Sequence, residues 1–184
     1  SNTTASQNVA IGVQALRNNI TGNFNVAIGG QNLLCNTTGS KNTAIGGSTL
    51  RNNTTGANNT AIGTYTLNAN TTGNSNIAIG YMTLGSNTTG GNNTAIGPSA
   101  LQDNTTGSSN FAAGNRSMWK SLSGTDNIGI GSNTLSDHMR SRPTPPGVAI
   151  LVLVIMHCLR TQLDLIISLW DTDRCVILFL VTIT

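Results

Sequence analysis

Groups able to carry acid–base or metal chemistry are sparse in this chain of 184 residues. Its two histidines, His138 and His157, both fall in the final third, and Asp103 and Asp126 stand as isolated carboxylates in separate segments. A nucleophilic triad needs a base and an orienting group beside the nucleophile, and a zinc centre needs about four clustered nitrogen or sulfur ligands. Neither pattern occurs, so the sequence assigns no catalytic residue, no metal ligand and no cofactor site. Gly129-Ile130-Gly131 lacks the third glycine and the following helix of a dinucleotide loop. A calcium-binding β-roll needs a recurring Asp, which is missing. Cys35 has no in-frame partner and reads as a free thiol. The cations Arg17, Lys41, Arg51, Arg116 and Lys120 are scattered without interleaved aromatics, which argues against nucleic-acid binding despite a net charge of +3.

What the chain has in place of chemistry is a beat. Gly12, Gly29, Gly46, Gly63, Gly80, Gly97, Gly114 and Gly131 recur every 17 residues, most of them closing an Ala-Ile-Gly step. One unit reads N-x-A-I-G-x-x-x-L-x-x-N-T-T-G-x-x. Its apolar columns are Ile11, Ile28, Ile45, Ile62, Ile79, Ile96 and Ile130, and Leu16, Leu33, Leu50, Leu67, Leu84, Leu101 and Leu135, with Met118 in the Leu phase. Its turn glycines are Gly22, Gly39, Gly56, Gly73, Gly90, Gly107 and Gly124. Self-similarity at so short a period marks stacked coils, each too small to fold alone.

The unit predicts an all-β parallel β-solenoid, or β-roll, of 17-residue rungs with two short strands each. Seventeen extended residues span roughly 56 Å, enough for a flattened coil with its strands stacked about 4.8 Å apart. Alternation places Ile and Ala on opposite faces of one strand, and the Ala column, never larger than a methyl, implies close packing there. The expected core of a rung is an Ile, a Leu and an Ala. Asn-Thr-Thr-Gly is turn chemistry, with Gly expected to take the left-handed position. The Asn columns, such as Asn25, Asn42 and Asn59, are expected to hydrogen-bond up and down the stack. Asn36-Thr37-Thr38 and its equivalents also match an N-glycosylation pattern, but the turn needs the same residues.

Composition divides the chain into an array, 1–136, and an apolar tail, 137–184. The array opens in mid-rung at Asn2-Thr3-Thr4, as a fragment of a longer array does. The tail's first apolar run, Val148 to Met156, is about half of the roughly 20 residues that a spanning helix needs. Its codons suggest another origin. Read one base out of frame, Met156-His157 forces Ala, His157-Cys158 forces Leu and Trp170-Asp171 forces Gly, which are repeat residues at repeat spacing. The tail is therefore expected to be further repeats translated out of frame, without an evolved fold, and Cys158 and Cys175 to be by-products. The beat restarts about five positions late, which a single-base slip in a perfect array does not explain.

The N-x-A-I-G steps, as in Asn25-Val26-Ala27-Ile28-Gly29 and Asn76-Ile77-Ala78-Ile79-Gly80, resemble the head repeats of YadA-like trimeric autotransporter adhesins. The added Asn-Thr-Thr-Gly turn resembles repeats of phage-type tail fibres. The resemblance spans Asn2 to about Leu135 and implies a β-roll in a homotrimer, placed extracellularly on a cell surface or virion. It implies a structural or adhesive segment without catalysis, self-associating, meeting a host-surface or matrix receptor of unknown identity, with no nucleic acid and no membrane contact by the array. The alternatives are the shaft of a phage or virus tail fibre and, less favoured, an ice-binding solenoid using Thr37, Thr54, Thr71, Thr88 and Thr105. Phe111, Met118 and Trp119 depart from consensus and form a speculative contact patch, weighed against a degenerate rung.

Overall fold

A computed structural model describes residues 4–134, 151–153, 167–171 and 174–178. Eight three-residue strands, β1 (Val9–Ile11), β2 (Val26–Ile28), β3 (Thr43–Ile45), β4 (Thr60–Ile62), β5 (Ile77–Ile79), β6 (Thr94–Ile96), β7 (Phe111–Ala113) and β8 (Ile128–Ile130), stack in chain order. Every pair is parallel and in register, so that Ala27 lies over Ala44 and Ala44 over Ala61. The chain is a parallel β-solenoid with a 17-residue step, as the period requires. A ninth strand, β9 (Leu151–Leu153), joins β8 in parallel after a longer step, and β10 (Ile167–Asp171) pairs antiparallel with β11 (Arg174–Leu178). The rest of the tail and Leu135 lie outside the described residues.

Three expectations are corrected, the strand count and the Ile column first and the turn glycines below. Each rung among the described residues holds one strand rather than two. The Leu side is a tight turn, because Leu16, Leu33, Leu50, Leu67, Leu84, Leu101 and Met118 all adopt φ near +50°, which no strand can accommodate. Their amides still bond between rungs, as Leu50 N donates to Thr66 O at 3.0 Å. The second correction concerns the Ile column, expected inside. Ala27, Ala44, Ala61, Ala78, Ala95 and Ala112 are fully buried, whereas Ile28, Ile62, Ile79 and Ile96 are exposed. Alternation fixes that one set faces in, and the slot between the strand and the Leu side admits a methyl but no sec-butyl group.

The core is correspondingly narrow: the Ala column against the Leu column, closed by Met118. Polar side chains complete it. Asn36 Nδ2 donates to Asn19 Oδ1 at 2.7 Å, and the relation repeats from Asn53 to Asn36, Asn70 to Asn53, Asn87 to Asn70 and Asn104 to Asn87, at 2.8 to 2.9 Å. A second ladder runs through Asn25, Asn42, Asn59, Asn76, Asn93, Asn110 and Asn127, each of whose backbone amides donates to the Oδ1 of the preceding member or, for Asn25, of Asn8. Buried amides are costly unless bonded, and here the repeat supplies each with an identical partner one rung away. Thr49, Thr66 and Thr83 form a third buried column, donating to the carbonyls of Gly63, Gly80 and Gly97.

Glycine serves two purposes. At Gly63 φ is +129°, and a Cβ would meet the Gly80 carbonyl oxygen at 2.2 Å, so both conformation and space exclude a side chain. The turn glycines differ from expectation. Gly56 has no positive φ; a Cβ there would strike Asn53 Oδ1 at 2.3 Å and Gly73 O at 2.5 Å. Close approach to the Asn ladder demands glycine in that column. The left-handed residue comes two positions later and is never glycine among the described rungs: Phe24, Lys41, Asn58, Ser75, Asn92, Ser109 and Asp126 have φ of 58° or close to it. Each such residue costs about 1–2 kcal/mol and turns its amide along the stack, as Asn58 N does toward Ser40 O at 3.0 Å.

Candidate interaction surface

Because Ala faces inward, the other strand positions form a continuous outer face. It carries only Val, Thr, Ile, Phe and Ala from β1 to β8, with no charged residue. Eight strands about 4.8 Å apart make it roughly 34 Å long. Ile28 is 36% exposed, Ile77 42% and Ile128 38%, rising to 59% for Ile11. Monomeric proteins rarely leave an apolar band of this extent open to water, and such bands mark interaction sites. The Ile column on this face was named from the sequence as a structural column; its outward direction was not, and the neighbouring column from Val9 to Ile128, Phe111 apart, was not singled out.

The Phe111, Met118 and Trp119 patch does not hold together. Met118 is fully buried in the Leu column and cannot touch a ligand, and Phe111 lies on the outer strand face. Trp119 sits apart, on the side away from the strand, partly buried. The Arg116 guanidinium carbon lies 4.9 Å and the Lys120 Nζ 5.1 Å from its ring centroid, both within cation–π range. Its Nε1 is buried without a hydrogen-bond partner. An aromatic pair the sequence did not single out is Tyr65 and Tyr81, edge to face with centroids 6.4 Å apart and both exposed.

The Thr pairs of the turns separate. Thr37, Thr54, Thr71 and Thr88 spend their hydroxyls on the next rung's Thr carbonyl at 3.0 Å. Thr38, Thr55, Thr72, Thr89 and Thr106 are exposed, one per rung. Turn threonines therefore present a single outward column and no flat two-column array. Cys35 is a free, half-buried thiol. Among the described residues no three His, Cys, Asp or Glu side chains gather where they could hold a metal, and no helix is long and apolar enough to cross a membrane.

Comparison of the chain with known protein families, with characterised proteins and with solved structures gives no match.

Proposed function

We propose that this chain is a structural, adhesive repeat segment of an extracellular surface adhesin or fibre, whose copies associate side by side through the outer strand face. The observation that carries the reading is the uncharged apolar band described above. Water-exposed Ile at six of the eight rungs is unfavourable for an isolated solenoid, and covering it recovers about 25 cal/mol for each Å² buried. The exposed side chains of the band amount to several hundred Å² per copy, of the order of the roughly 800 Å² that each partner gives to a standard interface. A narrow core, consisting chiefly of Leu and Ala, adds a second reason for lateral support. The resemblance of the N-x-A-I-G steps to trimeric adhesin heads makes three copies the expected number. No catalytic role is part of the proposal, since the interior groups are amides, hydroxyls and alkyl chains engaged in holding the stack.

Sedimentation equilibrium of the purified chain over a wide concentration range tests the reading. A discrete trimer that dissociates when Ile62 and Ile79 are both changed to Lys supports it. A monomer at every concentration, folded by circular dichroism, refutes it.

A further inference from the structure

The outer face has one irregular rung. In β2 to β6 and in β8 its two outward positions hold Val, Thr or Ile followed by Ile, but in β7 they hold Phe111 and Ala113. Phe111 stacks between Thr94 and Ile128, and Ala113 between Ile96 and Ile130. The larger residue has moved to the first column and the smaller to the second, so the summed volume of the pair stays close to that of Thr94 and Ile96 in β6. Phe111 is 38% exposed, projecting outward like the Ile it stands beside.

From this exchange, and resting on the self-association proposed above, we infer that Phe111 and Ala113 form a register key between copies of this chain, Phe111 of one filling the space left by Ala113 of the next. A regular array has a registration problem. Copies with near-identical rungs can slide by one strand spacing and lose only one rung of contact, so register is weakly specified. One rung with a protrusion and a matching hollow removes that degeneracy, because any slip sets Phe111 against an Ile column and leaves the hollow empty. The two columns also define the arrangement. In a ring of parallel copies at one level, the first column of each faces the second column of its neighbour, a head-to-tail contact that closes. Phe111 then meets Ala113 at the same height. In an antiparallel pair, rung seven would face a rung near the other end, where the second column offers Ile28 or Ile45 and no hollow.

The test uses the full chain with a reducing agent present for its cysteines. Phe111→Thr leaves a cavity and Ala113→Ile a clash, and each is expected to weaken association by about tenfold or more in sedimentation equilibrium. The decisive step is mixing the two single variants. In a ring of three, two Phe111→Thr chains and one Ala113→Ile chain match two contacts, Thr with Ile and Phe111 with Ala113, and leave only a cavity at the third, so a two-to-one mixture is expected to reassociate more tightly than either variant alone. The double variant, with a regular rung, is expected to associate again but as a spread of staggered species instead of one. Failure of the mixture to reassociate while the double variant does would mean that the two side chains compensate only within their own strand, and would overturn the key. Single variants that associate like the parent overturn it too. A parent chain that is monomeric throughout defeats self-association itself, and the key with it. Should either variant unfold, the milder pair Phe111→Leu and Ala113→Val is read in the same way.

Discussion

Rungs two to six and rungs seven to eight are built to one plan, yet they differ in how fully the plan is carried out. From Asn36 to Asn104 every buried amide of the first ladder reaches the rung before it. In the next rung Ser121 takes the Asn position. Its Oγ and the Asn104 Oδ1 it should serve are both left without partners, and further along the other ladder Asn127 Oδ1 is open as well. Packing shifts in the same place. Met118 replaces Leu, and the Ala position above it becomes Gly129, where a Cβ would lie 2.8 Å from Met118 Cγ. The earlier rungs show what strict repetition achieves, and the later ones what the fold tolerates once backbone stacking is in place.

The comparison can be broken most severely at the inter-rung glycines. Gly63→Ala drives a methyl into the Gly80 carbonyl and forces alanine to φ +129°. The expected loss is at least about 3 kcal/mol, read in chemical denaturation followed by circular dichroism at fixed protein concentration. Gly129→Ala meets the flexible Met118 instead and is expected to cost about 1 kcal/mol. Equal losses would show that the two regions are packed alike.

Asn53→Ala is the next largest. It strands Asn36 Oδ1 and removes the bond to Gly56 O at 2.9 Å, for an expected loss of about 2–3 kcal/mol. Ser121→Ala, whose hydroxyl bonds to nothing, is expected to change stability by less than about 0.5 kcal/mol. A comparable loss at both would sink the distinction between an intact and a broken ladder.

Repair should sharpen it in the opposite direction. Ser121→Asn supplies a donor to Asn104 Oδ1, as its equivalents do lower in the stack, and is expected to add about 1 kcal/mol, visible as a higher thermal midpoint. An unchanged or lower midpoint would indicate that rung seven has no room for the amide. A small net effect is expected from combining Met118→Leu with Gly129→Ala. Together these restore the common packing within about 1 kcal/mol of the parent, and a double-mutant cycle should return a favourable coupling between them.

Much of this architecture was legible in the sequence, because the period alone dictates that like residues stack in parallel and that buried Asn finds its own kind. Three features were not. Alternation separates Ile28 from Ala27 but does not say which side faces in, and the usual preference for burying the larger residue points the wrong way where the interior is one methyl deep. The left-handed positions escaped because glycine normally announces them, whereas here Phe24, Lys41 and Leu50 adopt them under the compulsion of inter-rung bonds. The missing second strand has the same cause, since an apolar Leu column suggests extended chain and carries no sign of φ near +50°. At the interaction surface, the sequence named the Ile column and Phe111, and the outward turn of the strand gave them a role together with the unnamed column beside Ile.

The carboxamide ladders have a direction. In the bonds from Asn to Asn the later residue donates to the Oδ1 of the one before it, so at the C-terminal tip of a partly built stack each Asn ladder ends in an Oδ1 acceptor. A chain emerging N-terminus first therefore meets, at every 17 residues, a template already oriented to receive the next turn, and assembly can proceed like a zipper in the sense of synthesis without waiting for distant segments to arrive.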